Sequence, residues 1–207
     1  MLYQIKTINS REEILTCNRA EIDNYVWTEK NVYIPKSYAY LGFIPNEGLY
    51  LKMICEESNP YTVVTAYHER TCTDSCMECF LAFPEENEKL STDVLYMNFE
   101  VNSIGNAFIK AAKGRKGRQF VSDEVVEKCN IKATVNEDNW SIELLMPIDF
   151  LESFSQVPKL QKGAKFYVNF YKVSETPEYE HYGSFNRIDL PNPNFHCPEF
   201  FADAEIV

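Results

Sequence analysis

The chain has 207 residues, of which 45% are hydrophobic and 14% are aromatic. A chain of this length buries roughly 70% of its unfolded surface, and its 14 Phe, 13 Tyr and 2 Trp residues supply more apolar area than a disordered coil leaves in water. The 31 acidic and 20 basic residues give a formal net charge of −11. That charge disfavours nucleic acids and anionic membrane surfaces as partners, whereas it does not penalise neutral polar ligands.

The N-terminal sequence MLYQIKTINSREEILTC contains no basic stretch followed by a long apolar core, so no signal peptide is expected. No run of 18 apolar residues is present either, so no membrane-spanning helix is expected. The seven cysteines are an odd number, and we expect most of them to be reduced, buried, small apolar side chains. Together these features predict a reducing compartment and a cytoplasmic location.

No internal repeat or flexible linker divides the sequence, so one domain is predicted over 1–207. Two short helices are expected, at 11–14 and at 147–154, where Pro147 suits a first helical turn. Runs rich in Val, Ile, Tyr, Phe and Thr predict strands at 48–55, 62–67, 76–83, 95–101, 107–111, 131–135, 140–146 and 165–173. Many short strands with few helices predict an all-β fold, an antiparallel β-sandwich with short peripheral helices.

The run 95–101 shows the alternation typical of a strand with one buried face. Alternate residues from Leu95 onward share an apolar face, which is predicted to pack in the core. The opposite face carries Asn98 and Glu100, and Asn102 continues it beyond the run.

Three cysteines, Cys72, Cys76 and Cys79, have the C-x3-C-x2-C spacing with which some enzymes hold an iron–sulfur cluster. Such enzymes need alternating strands and helices around the cluster, and this chain lacks that pattern. Cys76 and Cys79 lie three apart in one predicted strand, so they are expected to face opposite sides of the sheet. A zinc site would also require distant histidines to converge. We therefore predict no cofactor.

The segment 110–118, KAAKGRKGR, is strongly basic. Aromatic residues are not interleaved with its charges and the rest of the chain is acidic, so it is a weak nucleic-acid candidate. We predict that it forms a solvated hairpin loop.

No nucleophile or phosphate-binding motif of a known enzyme class is present. Glu78, Glu100 and Glu143 lie in predicted strands, and a pair of such residues is what a glycosidase requires. A glutamate in a half-exposed strand is more often solvated or hydrogen-bonded, so catalysis by Glu78 and Glu100 is kept only as an alternative.

Four segments, read together in this order, resemble the family 9 carbohydrate-binding modules, in particular the stand-alone family 9-like group with a DOMON-like β-sandwich. They are DSCMECFLAF at 74–83, YMNFEVNSIGN at 96–106, WSIELLMPIDFL at 140–151 and FHCPEFFADAEI at 195–206. The resemblance covers roughly residues 20 to 207. It implies an immunoglobulin-like or jelly-roll β-sandwich that binds sugars without cleaving them.

In sugar-binding members of this family, two aromatic rings clamp a terminal sugar and polar groups bind its hydroxyls. By this resemblance Glu78 and Phe195 fall on sugar-contacting positions, and Asn192 falls near a third. Cys72 replaces the second clamping Trp, and Met97 stands near the place of a sugar-contacting Arg. The second ring would then have to come from a substitute, for which the candidates are Phe185, Tyr182 and Tyr67.

These correspondences predict a non-catalytic module that recognises an oligosaccharide or polysaccharide. Asn98 and Glu100 would line a rebuilt site beside the matched positions. The resemblance also implies structural calcium in some members, with no ligands matched in this chain. Two alternatives stay open, namely an enzyme or accessory domain that uses Glu78 and Glu100, and a scaffold whose sugar site has decayed.

Overall fold

A computed structural model of the chain describes residues 1–28 and 34–207. Within these residues there are thirteen strands, two short α-helices and three 3-10 turns. The strands are β1 (Leu2–Thr7), β2 (Arg19–Ile22), β3 (Lys36–Ile44), β4 (Gly48–Glu56), β5 (Cys76–Phe83), β6 (Leu95–Asn102), β7 (Ala107–Lys113), β8 (Gln119–Phe120), β9 (Lys132–Val135), β10 (Trp140–Pro147), β11 (Lys165–Ser174), β12 (His181–Ser184) and β13 (Ala202–Ile206). The helices are α1 (Asp123–Lys128) and α2 (Ile148–Leu151), and the 3-10 turns are Arg11–Thr16, Thr71–Thr73 and Pro198–Phe200.

The strands form two layers that share one strand. The first sheet has the order β8-β7-β6-β5-β11-β13-β1, and the second sheet has the order β1-β3-β4-β10-β9. Residues Leu2 to Ile5 of β1 pair with β13, whereas Lys6 and Thr7 pair with β3. Both of these pairings are parallel, and the other pairings among the described strands are antiparallel. The predicted all-β sandwich is thus confirmed, with β1 crossing between its layers.

The main hydrophobic core lies between the two sheets. Its members include Met97 and Phe99 of β6 from the first sheet and Leu51 and Trp140 from the second. Since β6 buries alternate residues from Leu95 to Val101 in this core, the face assignment made from its alternation is confirmed.

A second, smaller core covers the outer face of the first sheet. Phe80, Tyr96 and Tyr171 project from that face and pack against the segment 185–201, which we call the C-terminal segment. Trp27 donates a hydrogen bond from Nε1 to the carbonyl oxygen of Leu190 at 2.6 Å and fixes the segment from one side. The outer face of this sheet is therefore only partly open to solvent.

The predicted faces of the cysteines are also confirmed. Cys79 packs in the core between the sheets, whereas Cys76 packs in the outer-face core. All seven cysteines are free thiols, and six of them are buried. Cys72 is the partly exposed one.

The predicted strand at 62–67 is wrong. The backbone N–H groups of Val63 and Val64 donate to the buried carboxylate of Asp74, at 3.1 and 3.0 Å. The Asp74 carboxylate also accepts from Asn102 Nδ2 at 2.9 Å. These donors are therefore satisfied by a side chain instead of a neighbouring strand, and the segment folds as a loop.

Gly48, at the start of β4, has a φ of +137°, and a Cβ atom there would overlap the carbonyl oxygen of Met146. We expect Gly48→Ala to lower the free energy of unfolding by about 1–3 kcal/mol, measured by urea denaturation. Gly163→Ala is the matched control, because Gly163 also has a positive φ, +87°, but an added Cβ would meet no atom within 4 Å. Equal losses in the two variants would contradict a steric role for Gly48.

Candidate functional site

A cleft of about 350 Å³ opens on the outer face of the first sheet. Glu78 of β5 and Glu100 of β6 form its floor, and they stand directly opposite each other in the antiparallel pair. The turn between β7 and β8 supplies one wall with Arg115 and Arg118. Residues 193–196 of the C-terminal segment supply another wall. The fold thus brings distant parts of the sequence to one concave surface.

The two floor carboxyl groups are almost fully buried, with exposures of 3% for Glu78 and 5% for Glu100. Burial, and then the charge of Glu100, raise the pKa of Glu78 well above its usual value. Burial also raises the pKa of Glu100, and the Arg118 charge offsets this only in part. Asn98 Nδ2 donates a hydrogen bond to Glu100 Oε1 at 2.9 Å. No described residue donates a hydrogen bond to the carboxyl group of Glu78.

Besides His196, three aromatic side chains line the cleft, namely Phe108 of β7, Tyr182 of β12 and Phe195 of the C-terminal segment. Phe195 is 8% exposed, and one face of its ring stacks on Tyr171, with centroids 4.0 Å apart and planes at 11°. Tyr182 is half-buried and lies edge-on to Phe195, with centroids 6.2 Å apart. Tyr182 therefore offers the more accessible ring, and Phe195 forms a wall held in place by its neighbours.

Arg118 is a half-buried cation at the edge of the floor. It donates a hydrogen bond to Asn98 Oδ1, and its guanidinium lies 4.7 Å from the centroid of the Tyr96 ring. Burial lowers the pKa of Arg118, although an arginine remains charged at neutral pH. Burial and then the Arg118 charge lower the pKa of His196 to about 3, so this imidazole is neutral at pH 7.

Several buried polar atoms around Arg118 have no hydrogen-bond partner among the described residues. They are Arg118 Nε, Tyr96 Oη and His196 Nδ1. Buried polar atoms are nearly always satisfied in folded proteins. Two of these atoms belong to neighbouring side chains, since the interaction between Arg118 and Tyr96 acts on the pKa of both groups.

Four of the predicted site residues line this cleft, namely Cys72, Glu78, Glu100 and Phe195. Asn98 lies beneath it, fully buried, where it bridges Glu100 and Arg118. Asn192 lines a shallow depression next to the cleft, which shares Arg115, Pro193 and Asn194 with it.

The structure does not bring Phe185 to the cleft. Its ring packs against Tyr3 and Phe170, at centroid distances of 5.7 Å each, on the core side of the first sheet. The backbone N–H of Phe185 binds the carbonyl oxygen of Phe170, which turns the ring toward that core. Of the three candidate substitute rings, only Tyr182 lines the cleft, because Tyr67 borders a separate depression beside α1.

The basic segment 110–118 forms the predicted hairpin, and Lys113, Arg115 and Lys116 are exposed as a solvated loop requires, whereas Arg118 is half-buried. Lys110, Arg115 and Arg118 line the cleft, and Arg70 lines it from the loop before β5. The dense run of basic residues was visible in the sequence. Its contribution to the cleft depends on the β7–β8 turn, which places it over the acidic floor.

The described residues contain no group of three or more His, Cys, Asp and Glu side chains that could hold a metal ion. Structural calcium, which the resemblance implies, stays a prediction, because calcium is also bound by backbone carbonyl and amide oxygens. Also within these residues, no helix is long and apolar enough to cross a membrane.

A family model for carbohydrate-binding family 9 matches residues 9–206. The chain belongs to carbohydrate-binding family 9. The resemblance predicted from the four sequence segments is thus confirmed, and it covers nearly the whole chain. No curated protein sequence matches this family 9 chain significantly.

Solved structures share its fold. A Bacteroides uniformis protein, assigned provisionally to carbohydrate binding, is 22% identical and superposes over 100% of this chain and 99% of its own with a TM-score of 0.80. A family 9 module from Caldicellulosiruptor kristjanssonii was solved in complex with cellotriose and with glucose. It is 11% identical, covers 100% of this chain and 93% or 96% of its own, and has a TM-score of 0.62 in both complexes.

Proposed function

We infer that the protein is a non-catalytic carbohydrate-binding module and that the cleft over Glu78 and Glu100 is its sugar site. The observation that carries this inference is the meeting of Glu78 and Phe195 at one concave surface. These are the two positions that the family resemblance matched most directly to sugar contacts. The family 9 module of similar fold that was solved with cellotriose and glucose supports the same ligand class.

The chemistry of the cleft suits a polyol. Sugar rings present C–H faces that pack on aromatic planes, and their hydroxyls need fixed polar partners. Tyr182 supplies an accessible ring, and Glu78, Glu100 and Arg118 supply donors and acceptors around it. Phe108 also lines the cleft, and it is half-buried like Tyr182. With rings that are only partly accessible, we expect a dissociation constant on the order of 10⁻⁴–10⁻³ M.

The floor carboxyls lie side by side, and burial raises the pKa of both. The Glu100 charge raises the pKa of Glu78 further. A neutral carboxyl group can donate as well as accept, which suits hydrogen bonding with sugar hydroxyls. Glycoside hydrolysis by this pair is the alternative that an activity assay addresses.

Tyr182→Ala is expected to weaken sugar binding about tenfold, because an aromatic contact contributes about 0.5–1.5 kcal/mol beyond its buried area. Isothermal titration calorimetry against sugars selected by a glycan array measures this loss. Tyr182→Phe keeps the ring and should bind like the wild type. Tyr67→Ala is the matched control, since Tyr67 is 53% exposed and lies outside the cleft.

The same experiment separates the alternatives. Saturable binding that Tyr182→Ala leaves unchanged would place the sugar elsewhere, and an absence of saturable binding would favour a decayed site. Release of reducing sugar from glycosides, abolished by Glu78→Gln, would favour an enzyme. The predicted cytoplasmic location is a further proposal, which cell fractionation tests directly.

A further inference from the structure

We propose that the cleft is selective for an acidic saccharide, one that carries a carboxylate or sulfate group, with Arg115 and Arg118 as the residues that bind this group. The proposal rests on the proposed function, because it names the class of sugar that the same cleft accepts. It starts from an imbalance of charge between the cleft and the rest of the molecule.

The chain carries a net charge of −11, yet the cleft lining has more cations than carboxyl groups. Among the described residues, it has the four cations Arg70, Lys110, Arg115 and Arg118 and the three carboxyl groups Glu78, Glu100 and Glu175. The lining is therefore positive by one charge when all of these groups are ionised. A neutral sugar requires no such excess.

Among the residues that the structure describes, a carboxylate partner is present for only one of the four cations. Arg70 forms an ion pair with Glu175. Within residues 1–28 and 34–207, no carboxylate oxygen lies within 4.0 Å of Lys110, Arg115 or Arg118.

The contacts of these three cations are instead to neutral groups. Arg115 donates to Asn194 Oδ1 at 3.3 Å, and Arg118 donates to Asn98 Oδ1. Lys110 Nζ lies 4.2 Å from the centroid of the Phe120 ring. All three cations thus retain donors for an anion.

Arg118 is the strongest candidate because it is partly desolvated. Its Nε is buried, its guanidinium lies against Tyr96, and its Nη1 is fixed by Asn98. A half-buried charge is costly unless an opposite charge compensates it. A planar guanidinium held in this way is suited to bind a carboxylate or sulfate through two hydrogen bonds.

The floor acids do not compensate the cations fully. Burial raises the pKa of Glu78 and of Glu100, so this pair carries less negative charge at neutral pH than two exposed glutamates would. Protonated carboxyl groups can donate to sugar hydroxyls or to an anionic oxygen. The floor therefore favours a saccharide, and the basic wall favours its acidic substituent.

The test compares matched sugars by isothermal titration calorimetry on the full chain. The probes are D-glucuronic and D-galacturonic acid, D-galactose 6-sulfate, D-glucose, D-galactose and sodium sulfate. At least one acidic sugar is expected to bind ten times more tightly than its neutral counterpart. The uronate and sulfate arms distinguish the two kinds of anionic group, and an affinity for sodium sulfate equal to that for the acidic sugar would overturn the proposal.

Two variants test the residues, since Arg118→Gln alone could affect folding near Asn98. Arg118→Gln and Arg115→Gln are each expected to weaken acidic-sugar binding by a factor at least five times larger than the factor by which they weaken binding of the neutral counterpart. Lys162→Gln is the control, because it changes net charge equally at an exposed position outside the cleft.

The outcomes distinguish this proposal from the proposed function. Neutral sugars that bind as tightly as their acids, or acidic-sugar binding unchanged in both arginine variants, would overturn the selectivity and leave the sugar-binding function standing. Failure of every sugar to bind would overturn both.

Discussion

Lys172→Met is expected to lower the free energy of unfolding by about 3–5 kcal/mol, the usual cost of removing one partner from a buried ion pair. Lys172 is fully buried, and its Nζ lies 3.7 Å from Glu57 Oε2. It also donates to His181 Nε2 at 2.8 Å and to the carbonyl oxygen of Val173 at 3.3 Å. Without the ammonium group, Glu57 would be left as an uncompensated charge in the interior.

The groups around Glu57 favour its ionised form despite its burial. Burial opposes ionisation of Glu57, but the Lys172 charge and hydrogen bonds from Ser75 and Trp140 bring its pKa below the usual value. The Trp140 Nε1 donates to Glu57 Oε2 at 2.8 Å. His181 stays neutral, because burial and the Lys172 charge lower its pKa to about 3.

Urea denaturation of three variants checks the prediction. Lys165→Met is the matched control on the same strand, since Lys165 is 73% exposed and lies 3.9 Å from its partner Glu205. It should change stability by less than about 1 kcal/mol. The double variant Lys172→Met with Glu57→Gln should recover most of the loss, because it removes both charges. A double variant as unstable as the single one would contradict an ionic cause.

The placement of Lys172 could be predicted from sequence, but its partners could not. Alternation in the run 165–173 puts Lys172 on the same face as the core residues Phe166 and Phe170, as observed. Glu57 lies 115 positions earlier in the numbering, and only the packing of the two sheets brings it beside Lys172. Local pattern thus indicates an unusual buried cation without indicating what neutralises it.

The strands likewise divide into those that the local sequence pattern predicts and those that it does not. Those with strong alternation or continuous apolar runs, such as β6 and β11, were predicted to within one residue. The strands β1 and β13 were not predicted, although Tyr3 and Ile5 of β1 alternate with exposed residues. Their pairing joins the two ends of the chain in parallel, and no local pattern or turn indicates such a partner.

The cleft was predictable where a residue's position on a strand decides its direction. Glu78 was matched to the site by the family resemblance, and Glu100 was assigned to the polar face of β6 by its alternation. The two side chains meet because β5 and β6 pair in register. Arg118 and Tyr182 were not assigned in this way, because a turn and a short strand place them. Side chains that depend on loop geometry require the structure.

Glu78→Gln is expected to raise the free energy of unfolding by about 2–4 kcal/mol at pH 8 and to change it little at pH 4. In the unfolded chain, Glu78 ionises near its usual pKa of 4.5, whereas burial and the Glu100 charge raise its pKa in the folded protein. The stability that this group contributes is therefore complete below pH 4.5 and is lost as the pH rises through the folded pKa. Glutamine stays neutral and removes that loss.

Unfolding free energies measured in urea from pH 4 to pH 8 give the difference between variant and wild type at each pH, so other titrating groups cancel. Arg118 and Glu175 also act on this pair, the first favouring ionisation and the second opposing it.

Glu199→Gln is the matched control, since Glu199 is exposed, and its difference should stay near zero throughout. A Glu78→Gln difference that is constant with pH would show that Glu78 is already ionised in the folded protein. The Glu78 carboxylate would then bind its ligand only as a hydrogen-bond acceptor.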